Sequence, residues 1–442
     1  MSFLRHTLRL VTLGLCMVIF SPAAEAKKIM AHYMPWFAAK PVSRAWGWHW
    51  AMDRFNPDVI TNGQRQIAAH YYPAIGPYDS SDPVVLEYHT LLMKLAGIDG
   101  VIVDWYGTAD FFDYAATDTN TWLLFRAAQR AGLDFCICYE DQTITQLIKF
   151  GKLTASGAIA QAQQDMRRVE QRYFGQPAYL RHQNQPVLMT YGPQYFSQGA
   201  DWKNIFSVLR TPVSFVTLDH LCVPASRGAY AWPPMWLSQN GVLAPEAMHG
   251  YLTTFENKAT NWQISVAAAF PQFHDIYRDA GKGDGYGRLQ SRNGQTFRET
   301  LARGLTNACT MLQLATWNDF GEGTMIEPTR EFGFLYLGIM QEARRQYLDP
   351  AFPCTTNDLQ VVGRLYNLRR RHAGQTSTQA RLDAVAAAIV SNQITAATML
   401  LAAIEQPLLA GRTNAPPGAV TNRVAECSAA TRRPAADAAA GF

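Results

Sequence analysis

The 442-residue chain is sparing with charge and with cysteine. Charged residues make up 17% of it and the net charge is +4, or +3 without Arg5, Arg9 and Glu25, so it carries no basic excess suited to nucleic acid or a membrane surface. Its seven cysteines form no C-x-x-C pair and H-E-x-x-H is absent, so the sequence expects no metal and no other cofactor. No G-x-G-x-x-G follows the first strand, which argues against a dinucleotide site. The glycine-rich stretch 281–287, GKGDGYG, lacks the Lys-Ser/Thr of a phosphate loop and reads as a mobile loop. After the first residues no apolar run is long enough to span a bilayer.

What is present begins with a leader. Arg5 and Arg9 precede the apolar run Leu10–Phe20, and Ala24-Glu25-Ala26 offers an A-x-A cleavage site. Residues 1–26 therefore read as a secretory signal peptide, with export to the periplasm or the outside and a mature chain starting at Lys27. Six cysteines then remain, and spacing does not give their pairing. Cys136 and Cys138 alternate in DFCICY, so they share one strand face and read as core thiols. Hydrophobic content of 48% and aromatic content of 12% fit a globular enzyme with an aromatic cleft.

From residue 27 to 349 short β-rich runs alternate with helical stretches, the pattern of parallel strands with helical crossovers. Strands are expected at Ile29–Tyr33, Ala68–Tyr72, Gly100–Trp105, Asp134–Tyr139, Pro186–Thr190, Val213–Thr217, Ile264–Ala268 and Met311–Thr316, with a shorter one near Ala229–Trp232. A count near eight and this length expect an α/β fold, a (β/α)8 TIM barrel; an open doubly wound sheet is the alternative. Helices are expected at Asp82–Leu95, opened by Asp-Pro, and at Thr119–Ala131, Ser156–Phe174 and Asn293–Asn307. Residues 350–411 form a helical appendage, with Thr355–Arg371 and Ser377–Ile404 as an antiparallel pair. The Ala/Pro/Arg-rich tail 412–442 is expected to be disordered.

Polar and aromatic residues collect just after the strands, where a barrel builds its active site. His32, Tyr72, Asp104, Trp105, Glu140, Asp141, Tyr191 and His274 are the candidates for holding a substrate, with Trp317 and Asn318 at the last strand. The loop from Phe37 to Asn62 holds Trp46, Trp48, His49 and Trp50, which are expected to fold over the barrel mouth. The most telling stretch is Leu314–Glu327, LATWNDFGEGTMIE. Asp319 and Glu322 stand three apart in a glycine-punctuated turn and would share a face if the turn is helical. Glycosidic cleavage needs a proton for the departing oxygen and a base or nucleophile, which two carboxylates supply. The plain alternative is a strand-to-helix turn with a capping Asn or Asp.

AHYMPWF, IGPYDSSDP, AGIDGVIVDWYG, YEDQT, PVLMTYGPQYF and ATWNDFGEGTMIEP, in this order, resemble glycoside hydrolase family 99 and its sister family 71. The resemblance runs from Ile29 to Pro328 and implies a (β/α)8 barrel acting on an oligo- or polysaccharide, an α-mannan for family 99 and an α-1,3-glucan for family 71. It implies Glu322 as general acid/base and Asp319 as the partner carboxylate. Family 99 reads W-N-E-W-H-E-G-T where this chain reads W-N-D-F-G-E-G-T, so an Asp replaces a Glu and Gly321 replaces a His. The expected activity is hydrolysis of an internal α-glycosidic bond, and the alternative is an inactive carbohydrate-binding barrel. The oligomeric state is not legible.

Overall fold

The computed structural model describes residues 27–413, with side chains to residue 405. The expected leader lies outside the described residues, as does the expected tail apart from 412 and 413, which belong to the last helix.

Eight strands form the centre: β1 Lys28–Tyr33, β2 Gly100–Trp105, β3 Asp134–Tyr139, β4 Gln185–Thr190, β5 Ser214–Leu218, β6 Gly228–Tyr230, β7 Ile264–Ala269 and β8 Met311–Leu314. Each pairs in parallel with the next, and β8 returns to β1, so the sheet closes into a barrel. The strands are almost wholly buried, as their continuous apolar runs require when both faces are covered.

The expected strand Ala68–Tyr72 does not form. Its backbone groups are spent elsewhere: Ala68 N donates to Trp50 O, Tyr72 N to the Glu331 carboxylate, and Tyr72 O accepts from Arg330 N. The segment is a strap across the barrel mouth. The eighth strand is instead the short β6, where a Cβ on Gly228 would lie 1.6 Å from Ile264 O.

The helix Pro83–Ala96 (α1) crosses between β1 and β2. Asp82 caps it by accepting from Val84 N at 2.9 Å, Pro83 opens it and Gly97 closes it at φ 80°. Helices Tyr114–Ala131, Ala158–Val169, Gly199–Phe206, Pro245–Ala259, Gln295–Thr306 and Leu335–Tyr347 (α2 to α7) follow. The charged helix expected over Ser156–Phe174 is a 3₁₀ turn, α3 and a π-helical end.

Beyond residue 350, Thr356–Arg371 (α8) packs on α1. Leu359, Val362 and Leu365 join the outer core, Arg369 pairs with Glu87 at 2.8 Å, and Arg370 reaches Asp82 at 2.6 Å. The expected helix Ser377–Ile404 is two helices, Thr376–Val390 (α9) and Ile394–Thr413 (α10). They are separated by a turn in which Asn392 takes φ 56°. Among the described residues, no helix is long and apolar enough to cross a membrane.

Candidate active site

A cleft of about 750 Å³ opens at the C-terminal ends of the strands. Its carboxylates are Asp104, Asp113, Glu140, Asp319 and Glu322, and among the described residues no Lys or Arg lines it. Aromatic side chains make the walls. Trp36 stacks on His49 at 4.2 Å and lies 5.8 Å from Tyr106. Across from them Trp232 sits 4.9 Å from His32 and 5.2 Å from Tyr191, with Tyr277 and Tyr286 completing the lining. Flat rings around a group of carboxylates suit a sugar, whose ring faces are apolar and whose edge is hydroxylated.

The turn after β8 is not a helix. Asp319 N donates to Thr316 Oγ1 at 2.8 Å, and Asp319 Oδ1 accepts from Glu322 N at 2.9 Å. The capping reading and the catalytic reading therefore meet in one residue: the Asp319 side chain folds the turn that presents Glu322. Gly323 takes φ 68° there, and a Cβ on it would come within 2.5 Å of His274 O. Beneath, Asn318 clamps the loop after β1 by accepting from Met34 N at 2.8 Å and donating to Met34 O at 3.0 Å. Asn318 also donates to Tyr78 Oη, which in turn donates to Glu327 at 2.7 Å.

Burial sets the electrostatics. Asp319 is buried, and this pushes its carboxyl up to about 6 against the pull of the Glu322 and Gly321 amides and of His49. Glu322 keeps part of its surface open to the cleft. Withdrawal from bulk water and then the neighbouring Asp319 carboxylate hold it well above the usual carboxylate range. Asp104 is raised by burial and by Glu140, with which it shares a hydrogen bond. Glu140 itself is pushed up to about 7, chiefly by burial. The cleft thus holds protonated and ionised carboxyl groups side by side near neutral pH, the arrangement acid/base chemistry needs.

Of the residues expected from sequence, His32, Asp104, Glu140, Tyr191, Asp319 and Glu322 line the cleft. The other six do not. Tyr72 packs under the Arg330 guanidinium, 4.4 Å away, and accepts from Arg65 N. Trp105 follows Asp104 in a strand, so it points outward and donates to Asp118 at 3.1 Å. Asp141 is fully buried and accepts from the backbone amides of Gln194, Tyr195 and Phe196. His274 stacks on His70 at 3.7 Å and supports the turn through its backbone, its N donating to Glu322 O. Trp317 and Asn318 are buried below the turn.

The cleft is also lined by Tyr106, Trp232, Tyr277, Tyr286, Trp36, Asp113 and Gln142, which are not among the substrate-holding residues expected from sequence. Strand alternation points to Tyr106, two residues beyond the inward Asp104. The tryptophan loop divides its work. Trp50 enters the core and donates to Tyr78 O, while Trp48 and His49 face the cleft. Lys282, in the glycine-rich stretch, pairs with Asp53 at 2.8 Å and so ties that loop to this one at the rim.

A closed parallel barrel with paired carboxylates on its C-terminal face is an architecture of glycoside hydrolases. Known proteins agree. The sequence profile of Glycosyl hydrolase family 99 matches residues 28–214, a span that ends before the Asp319–Glu322 turn. The chain is 22% identical over 343 residues to the glycoprotein endo-alpha-1,2-mannosidase of Mus musculus, covering 68% of each. A 57-residue stretch is 40% identical to a glycoprotein endo-alpha-1,2-mannosidase-like protein of Danio rerio, 12% of this chain and 13% of that protein. The fold superposes on the GH99 endo-alpha-mannosidase of Bacteroides thetaiotaomicron with a TM-score of 0.54 at 17% identity, covering 72% of this chain and 97% of that one. These similarities mark the chain as a family-99-like protein and as a glycoside hydrolase.

Proposed function

We propose that the chain, after export, hydrolyses an internal α-glycosidic bond of a polysaccharide of α-mannan or α-1,3-glucan type. The observation that carries this reading is the coupling of Asp319 and Glu322 in one turn on the cleft floor. Glu322, held protonated, donates its proton to the departing oxygen. Asp319, ionised above about pH 6, takes a proton from water or from the sugar 2-hydroxyl. The aromatic walls orient the ring, and Tyr191 and Tyr277 present neutral phenols, since burial and then Glu322 push both well above their ordinary range.

The test uses purified residues 27–442 and the Glu322→Gln variant on α-1,3-glucan and on α-mannan, with products followed by chromatography and by NMR of the anomeric signal. Oligosaccharides from the native protein that vanish with the variant support the reading and give the stereochemistry. Glycan binding without products from either protein replaces the hydrolase with an inactive carbohydrate-binding barrel.

A further inference from the structure

Three neighbouring barrel strands bring one imidazole, one carboxylate and one thiol together at the cleft floor. Asp104 on β2 and Cys138 on β3 are cross-strand partners. His32 on β1 pairs with Ile102, two residues before Asp104, so all three side chains point into the barrel. All three are buried, and their nitrogen, oxygen and sulfur donor atoms lie within 4.8 Å of one another.

The hydrogen bonding around them leaves lone pairs unanswered. The Gln313 amide nitrogen donates to Ala231 O at 2.6 Å, so its Oε1 is turned to accept from His32 Nδ1, 3.4 Å away. The ring proton therefore sits on Nδ1, and Nε2 presents a bare lone pair with no protein partner. Asp104 Oδ1 also has none. Burial holds the imidazole down to about 4, so it stays neutral and donates its lone pair rather than a proton. A metal-binding histidine is usually fixed in this way, through its other ring nitrogen.

We propose that His32, Asp104 and Cys138 bind a divalent metal ion of the zinc class at the floor of the cleft. A mixed nitrogen, oxygen and sulfur set suits zinc and disfavours magnesium and calcium, which take oxygen alone. Tetrahedral zinc with bonds of roughly 2.0–2.3 Å places its donors roughly 3.3–3.8 Å apart, so the three groups close in by about 1 Å through side-chain rotation. Three protein donors leave a coordination position for water or a substrate hydroxyl. Binding replaces the S–H bond of Cys138 with a metal–thiolate bond and the O–H bond of the Asp104 carboxyl with a metal–carboxylate bond, and releases both protons to solvent. Burial holds that thiol well above its ordinary range, so affinity rises with pH. The sequence concealed the site because positions 32, 104 and 138 form no motif; only the barrel makes them neighbours.

The test titrates chelator-treated protein with cobalt(II), then displaces it with zinc. We expect one ion per chain, a thiolate-to-cobalt charge-transfer band in the near ultraviolet, and proton release on binding. Cys138→Ser, almost isosteric, removes the band and weakens uptake at least about tenfold. Cys136→Ser, in the same strand and on the same face, keeps both. His32→Gln weakens uptake similarly, and a thermal melt checks its fold. No stoichiometric uptake at millimolar zinc, or uptake indifferent to Cys138→Ser, overturns the proposal and leaves a buried water to meet the two acceptors. Neither result depends on the hydrolase reading, because metal alone is the probe.

Discussion

Glu140 and Asp141 are adjacent in the chain, yet one belongs to the cleft and the other to the scaffold beneath it. Glu140 faces other carboxylates, with no Lys or Arg lining its cleft among the described residues, and burial drives it toward its neutral form. Asp141 is more deeply buried but accepts from three successive backbone amides, which pull against the rise that burial imposes. The same contrast separates Glu322 from Glu327, with Asp319, which accepts from the Glu322 amide, between the two. Glu327 is buried, accepts from Tyr78 and lies 3.2 Å from His89, whose other ring nitrogen bonds Tyr33. A carboxylate with dedicated donors stabilises the fold. A carboxylate without them holds its proton unusually tightly and is available for chemistry.

The strongest break of this contrast is Glu322→Gln, which we expect to lower kcat on the order of 10³-fold with the melting temperature little changed. An active Glu322→Gln enzyme would move the acid elsewhere in the cleft. Next comes Asp141→Ala. Leaving three buried amides without an acceptor should cost about 2–4 kcal/mol in a denaturant titration, and activity per folded molecule should fall far less than with Glu322→Gln. If Asp141→Ala instead abolishes turnover in fully folded protein, the division between cleft and scaffold fails.

The pH dependence sharpens the comparison. The profile of kcat/KM should be bell-shaped, rising through about pH 6 as Asp319 ionises and falling at higher pH as Glu322 loses its proton. Asp319→Asn should remove the rising limb, so a profile unchanged in that variant would exclude Asp319 as the base. The smallest effect is thermodynamic. Glu140 is raised from 4.5 to about 7, so the native state favours its protonated form. That contribution is complete below about pH 4.5 and is lost as the pH climbs through about 7. Glu140→Gln should therefore raise the melting temperature at pH 8 relative to its effect at pH 4. Equal shifts at both pH values would mean Glu140 is not strained by charge.

The errors of sequence reading have different causes. Trp105 and Asp141 were grouped with their neighbours because both follow strands, but alternation sends adjacent side chains to opposite faces, so Asp104 and Glu140 took the cleft alone. Tyr106 was reachable by the same rule. Ala68–Tyr72 had the composition of a strand, and only the partners of its backbone groups show it to be a strap. The short strand expected near Ala229–Trp232 forms as Gly228–Tyr230, and the Asn392 turn that divides α9 from α10 carries no proline or glycine as a signal.

By itself the sequence determined parallel strands with helical crossovers, since apolar runs spaced by amphipathic helices have few ways to bury themselves, while the β8–β1 pairing decided a closed barrel over an open sheet. It also determined the Asp319–Glu322 pair, because three residues within one turn must lie close together. Tertiary structure alone decided which carboxylates receive donors from distant loops, as Asp141 does from residues 194–196. It alone placed His32, Asp104 and Cys138 side by side. Those outcomes depend on register and closure among strands far apart in the chain, and no local pattern encodes them.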